Sequence, residues 1–120
     1  MTNHYNGRCH CGAVNFSFDS GEEINKGLRC NCSLCSRKGA MMTAFAIPPG
    51  KFSINAEDGA LGLYQFGEKT AKHYFCTHCG IYTFHVTARQ PDHYRANLAC
   101  IDGVDPFTLE ADLFDGKHLL

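Results

Sequence analysis

With 120 residues, 44% of them hydrophobic, and a formal net charge of -1, the chain has room for one core, and a single domain spanning 1–120 is expected. A near-neutral chain offers no electrostatic footprint for nucleic acid, and no apolar run approaches the length of a membrane span. The polar start from Met1 to Gly7 is not a signal peptide, so the chain is expected in the cytoplasm, where thiols stay reduced.

In chain order, the first cysteine pair, Cys9-His10-Cys11-Gly12, precedes Ala13 to Phe18, whose apolar–polar alternation predicts a strand. A three-cysteine run follows, Cys30-Asn31-Cys32-Ser33-Leu34-Cys35, and the stretch from Ser33 to Lys38 is the one place that reads as helix, with Ser33 as its cap. Strands are then predicted at Thr43 to Ile47, closed by Pro48-Pro49-Gly50, and at Lys51 to Ile54, Leu61 to Phe66 and His73 to Phe75. The third cysteine pair, Cys76-Thr77-His78-Cys79-Gly80, leads into Ile81 to Val86, then Tyr94 to Cys100, with a short last strand between Thr108 and Phe114. Many short strands at regular spacing predict an all-β domain of two small packed sheets.

Seven of the eight cysteines fall into these three clusters. In a reducing compartment such tight pairs read as metal sites, and zinc is favoured over an iron–sulfur cluster by the ligand spacing. Each two-cysteine knuckle is half a tetrahedral site, and the glycine after it suits the tight turn the second thiolate requires. Joining the first pair to the third gives a closed four-thiolate site whose metal contributes folding free energy. The middle cluster then holds three ligands with an open fourth position, unless Cys100 or a histidine closes it.

Among the histidines, His10 and His78 sit inside knuckles and should point outward. His85 lies on a probable strand, where a hydrogen-bonded strand histidine competes with approach to the open metal. His4, His73, His93 and His118 have no ligand spacing. Arg29, Arg37 and Lys38 flank the open cluster, either to balance the charge of about -1 on zinc held by three thiolates or to attract the carboxylates of a substrate.

The combination Gly7-x-Cys9-x-Cys11-Gly12-x-Val14, Cys30-x-Cys32-Ser33-x-Cys35 and Phe75-Cys76-x-x-Cys79-Gly80 resembles the glutathione-dependent formaldehyde-activating enzymes, a family whose fold centromere protein V shares. Arg95-x-Asn97-x-x-Cys100-x-Asp102-Gly103 is similar to the family as well, so the likeness runs from residue 7 to about residue 105. It implies a β-tent fold of small sheets and two zinc ions. Cys9, Cys11, Cys76 and Cys79 would hold the structural zinc, and Cys30, Cys32 and Cys35 the catalytic one. Cys100 would be a core thiol. The family's reaction adds glutathione to formaldehyde and is classed as a carbon–sulfur lyase, which implies a small-molecule thiol substrate. The glutathione-associated members are considerably longer, which sets this chain apart in the segments that shape a glutathione pocket.

Two other functions compete with the lyase. One is a non-catalytic zinc-stabilised binding module, and the other a redox protein using Cys76-x-x-Cys79 as a dithiol.

Overall fold

The computed structural model describes residues 2–119. Its strands are β1 (Asn3–Arg8), β2 (Val14–Ser20), β3 (Gly27–Cys30), β4 (Met42–Thr43), β5 (Phe52–Ala56), β6 (Leu61–Tyr64), β7 (Lys72–Cys76), β8 (Tyr82–Val86), β9 (Tyr94–Ala96) and β10 (Ala111–Phe114). Two short helices, α1 (Ser33–Lys38) and α2 (Gly116–Leu119), complete it together with 3-10 turns. None of the described helices is long and apolar enough to cross a membrane.

The all-β reading holds, as a β-tent of small sheets, but there are three sheets rather than two. Their strand orders are β1-β2-β5, β10-β3-β4 and β6-β7-β8-β9. The extra sheet is built on β3, four residues without apolar alternation, and β3 pairs in parallel with β10 from the far end of the chain. Nothing local in the sequence announces such a strand. The other pairings are antiparallel.

Three predicted strands end earlier than expected: the one begun at Leu61 stops at Tyr64 rather than Phe66, and the other two are cut short for a visible reason. Of the predicted run Thr43 to Ile47 only Thr43 lies in a strand, together with Met42 before it, because Thr43 Oγ1 donates to the Phe45 carbonyl at 2.9 Å and turns the chain out of the ladder. Strand β9 stops at Ala96. There the Asn97 side chain accepts from the Ala99 amide at 3.1 Å and starts a 3-10 turn over Leu98–Cys100. Helix α1 has the predicted bounds, but Cys32, not Ser33, caps it, with Sγ accepting from the Cys35 amide at 3.4 Å.

The core lies between the β1-β2-β5 sheet and the β6–β9 sheet. Val14, Phe16 and Phe18 on β2 all face it and are buried. Phe52 on β5 stacks on Phe16, Phe18 and Tyr94, the last with ring centroids 4.3 Å apart. Phe84 on β8, fully buried, meets Phe16 and Phe52 edge-on at 5.4 and 5.1 Å. Such pairs add about 0.5–1.5 kcal/mol each beyond area burial, so this aromatic block fixes how the two sheets sit on one another. That fixed relation is what brings the cysteine clusters of distant segments together.

Candidate metal centres and the adjoining cavity

Both two-cysteine knuckles are hairpin turns. Cys9, Cys11 and Gly12 connect β1 to β2, and Cys76, Cys79 and Gly80 connect β7 to β8. Gly12 (φ 84°) and Gly80 (φ 78°) adopt the left-handed conformation expected of the residue closing each knuckle. The turns belong to different sheets, yet their four Sγ atoms all lie within 4.8 Å of one another.

Zinc–sulfur bonds of about 2.3 Å in tetrahedral array place the sulfurs about 3.8 Å apart. The Cys9–Cys11 and Cys11–Cys76 Sγ distances are both 3.7 Å, far beyond a disulfide's ~2.05 Å. Backbone amides also point at the sulfurs: Val14 at Cys9 Sγ (3.3 Å), and His78 and Cys79 at Cys76 Sγ (3.3 and 3.4 Å). The amides of Cys11 and Ile81 bring the Cys79 thiol down to about 6. A cluster of thiols spaced for one ion and supplied with donors that favour thiolate fits a metal of zinc's preferences.

The second cluster forms where β3 runs into α1. Cys30 ends the strand, Cys32 caps the helix and Cys35 lies in its first turn, so three Sγ atoms lie within 4.8 Å of one another. Among the described residues no fourth cysteine, histidine or carboxylate joins this group. Cys100 lies outside both clusters as a buried thiol, its pKa pushed up to about 12 by burial, as the core-thiol expectation had it. The loop is braced from the C-terminal segment. Asn31 Nδ2 donates to Asp115 Oδ1 at 2.9 Å, and Asn31 Oδ1 accepts from the Lys117 amide at 2.8 Å.

Cys30, Cys32 and Cys35 line one side of a cavity of about 110 Å³. Leu28, Met42, Phe66 and Phe114 are among its apolar walls, and Lys38, His73, His85, Arg89 and Arg95 also line it. Of the three flanking cations named from the sequence, only Lys38 reaches this space. Arg29 and Arg37 instead donate to the carbonyls of Gly39 (2.8 Å) and Ser33 (2.7 Å).

Lys38 Nζ sits 3.6 Å from the centre of the Tyr82 ring and 3.5 Å from His73 Nδ1. The Tyr82 hydroxyl bridges His73 Nδ1, at 3.1 Å, and His85 Nδ1. Proton counting narrows the tautomers. Burial, then the Cys35 and Cys32 thiols, raise the Tyr82 pKa, so it remains a phenol with one proton to give. An ammonium beside His73 Nδ1 demands a lone pair there, so His73 accepts and carries its proton on Nε2. When the Tyr82 proton goes to His73 Nδ1, His85 Nδ1–H donates to the Tyr82 oxygen and His85 Nε2 is a free acceptor; when it goes to His85 Nδ1, the His85 proton sits on Nε2.

Burial, followed by Lys38, depresses the His73 pKa to about 4. Burial and then Lys38, His73, Arg95 and Arg89 hold His85 well below its usual value. Both rings are neutral at neutral pH.

His85 is thus at once a hydrogen-bonded strand histidine and a cavity-lining one. His10 and His78 are exposed, as expected. Sequence reasoning missed His73, Tyr82 and Arg89 as site residues and left Arg95 without a role. The available signal was cross-strand register, His73 opposite His85 and His85 opposite Arg95, which becomes visible only once the strands are paired.

A family model described as glutathione-dependent formaldehyde-activating enzyme matches residues 4–117. A crystal structure of a Rhodobacter sphaeroides protein, a structural genomics target, is similar at a TM-score of 0.80 and 36% sequence identity, over 89% of this chain and 99% of that one.

Proposed function

This chain belongs to the glutathione-dependent formaldehyde-activating enzyme family, and from that premise we propose that it is a zinc-dependent carbon–sulfur lyase that makes or splits thiol–aldehyde adducts of the S-hydroxymethylglutathione type. The observation that carries this reading is the three-thiol cluster at the wall of a cavity, with no fourth ligand beside it among the described residues. In this reading Cys9, Cys11, Cys76 and Cys79 hold a structural zinc, and Cys30, Cys32 and Cys35 hold a catalytic one. Zinc held by three thiolates supplies a Lewis acid that favours a sulfur anion near neutral pH.

The chain's own residues do the rest. Joining a thiol to formaldehyde forms one carbon–sulfur bond while the thiol proton leaves and the carbonyl oxygen gains a proton. With the Tyr82 proton directed to His73 Nδ1, His85 Nε2, a neutral acceptor on the cavity wall, takes the first proton and returns one to the oxygen. Tyr82 and His73 hold that tautomer, and Lys38 offsets the negative charge of the three-thiolate cluster. Leu28, Met42 and Phe114 exclude water from the forming bond. The need for seven reduced thiols supports a cytoplasmic location.

The test is exchange NMR of formaldehyde with a thiol, comparing zinc-loaded native chain with Cys35→Ser. Faster adduct exchange with the native chain alone is expected. Exchange no faster than that of the free thiol removes the lyase reading and leaves the zinc-stabilised binding module.

A further inference from the structure

The cavity beside the three-cysteine cluster is lined by three cations, Lys38, Arg89 and Arg95, and by no carboxylate. Among the described residues none of the three is within an ion-pair distance of an acidic side chain; the ion pairs found join His4 to Asp19, Lys26 to Asp112 and His118 to Asp115. A divalent metal on three thiolates leaves a charge of about -1, which Lys38, the cation next to the cluster, offsets. Arg89 and Arg95 remain as charge without an acidic partner on a wall whose other polar side chains, His73, His85 and Thr87, are neutral.

Arg95 is half committed. Its Nη1 donates to the Thr43 carbonyl at 2.8 Å, which fixes the plane of the guanidinium. Its Nε is buried and has no acceptor among the described residues. The edge formed by Nε–H and Nη2–H is the one that takes a carboxylate with two parallel hydrogen bonds. A buried donor left unpaired costs free energy, and a small shift of the guanidinium that opened this edge to an acceptor in the cavity would recover it. Arg89, whose guanidinium lies 3.5 Å from the ring centre of Phe114, stands on the same wall and adds a second positive charge.

Size narrows the ligand further. The cavity holds about 110 Å³, whereas sites for larger organic ligands run to roughly 300 Å³ and above. A tripeptide would have to leave part of its chain outside this space, whereas a thiol only a few carbons long would not.

We propose that this cavity selects a short mercaptocarboxylate, or its formaldehyde adduct, with sulfur at the Cys30–Cys32–Cys35 cluster and the carboxylate on Arg95 and Arg89. The proposal rests on the open-site reading above and names the class of thiol that the site takes.

The test uses the full chain with cobalt in place of zinc and follows its visible absorption as thiols are added. Mercaptoacetate should bind at least tenfold more tightly than 2-mercaptoethanol, which has the same chain length without the charge, and more tightly than glutathione. Arg95→Met should bring the acid-to-alcohol ratio close to one while leaving 2-mercaptoethanol affinity within about twofold of the native chain. Should Arg95→Met fail to fold for want of its Thr43 bond, the exposed Arg89→Met, which should lower the same ratio, replaces it. Equal affinity for acid and alcohol in the native chain, or tighter binding of glutathione than of mercaptoacetate, overturns the proposal but leaves the open site standing. If no thiol changes the spectrum, the open-site reading itself fails, and this proposal with it.

Discussion

The two cysteine clusters should contribute very unequally to stability, because they close loops of very different length. The four-thiol cluster joins Cys11 to Cys76 across 65 residues. The three-thiol cluster spans only Cys30 to Cys35, a separation of five. Treating each loaded site as a cross-link, the loop-closure entropy removed from the unfolded chain is worth about 4 kcal/mol for the long loop and about 2 kcal/mol for the short one. The fourth thiolate of the first site only widens that gap.

The perturbations are two double variants, Cys76→Ser with Cys79→Ser and Cys32→Ser with Cys35→Ser. Urea unfolding of each, with saturating zinc and with chelator, gives the increment that metal adds through the remaining site. Taking the increment within each variant cancels the cost of placing serine at fully buried Cys76. Zinc should stabilise the Cys32/Cys35 variant by at least about 2 kcal/mol more than the Cys76/Cys79 variant. Equal increments, or the reverse order, would refute the division of the clusters into a folding site and a site for chemistry.

Other expectations follow from single residues. Gly80→Ala places a Cβ on a residue at φ 78° with no atom nearby to clash, so its cost should be purely conformational, about 1–2 kcal/mol by urea denaturation. Phe84→Ala should cost about 3–5 kcal/mol, because it empties the centre of the aromatic block, while Phe107→Ala, at a side chain 96% exposed, should stay within about 0.5 kcal/mol by the same assay. His73 has a folded pKa of about 4 against 6.5 for the free ring, so between those values the unfolded chain holds a proton that the folded chain refuses. Its contribution is therefore complete above 6.5 and is lost as pH falls toward 4; His73→Asn should flatten the pH slope of metal-free stability in that window.

The sequence carried the metal ligands more clearly than it carried the sheets. Cysteine spacing is a local property, so Cys9, Cys11, Cys76 and Cys79 could be paired before any strand was placed, and the helix Ser33–Lys38 had its bounds. Strand β1 was missed because its residues, Asn3 to Arg8, are polar and alternate only in burial. Strand β3 was missed because its stability comes from β10, more than eighty residues later in the chain. The same non-locality hid the cavity. His73, His85 and Arg95 share one wall only because β7, β8 and β9 align them in register, and Tyr82 joins the two histidines through a hydroxyl whose partners the sequence does not place in contact. The helix cap is a smaller case. Serine is the usual residue there, but a cysteine held by its neighbours' metal-site geometry took the position instead.

The most direct test of one closed and one open site is zinc-edge X-ray absorption on the chain loaded with two zinc ions, before and after addition of a thiol. The average sulfur coordination per zinc should start midway between three and four and rise to four when the thiol binds. An average of four at the outset, or no change on adding thiol, would contradict the account.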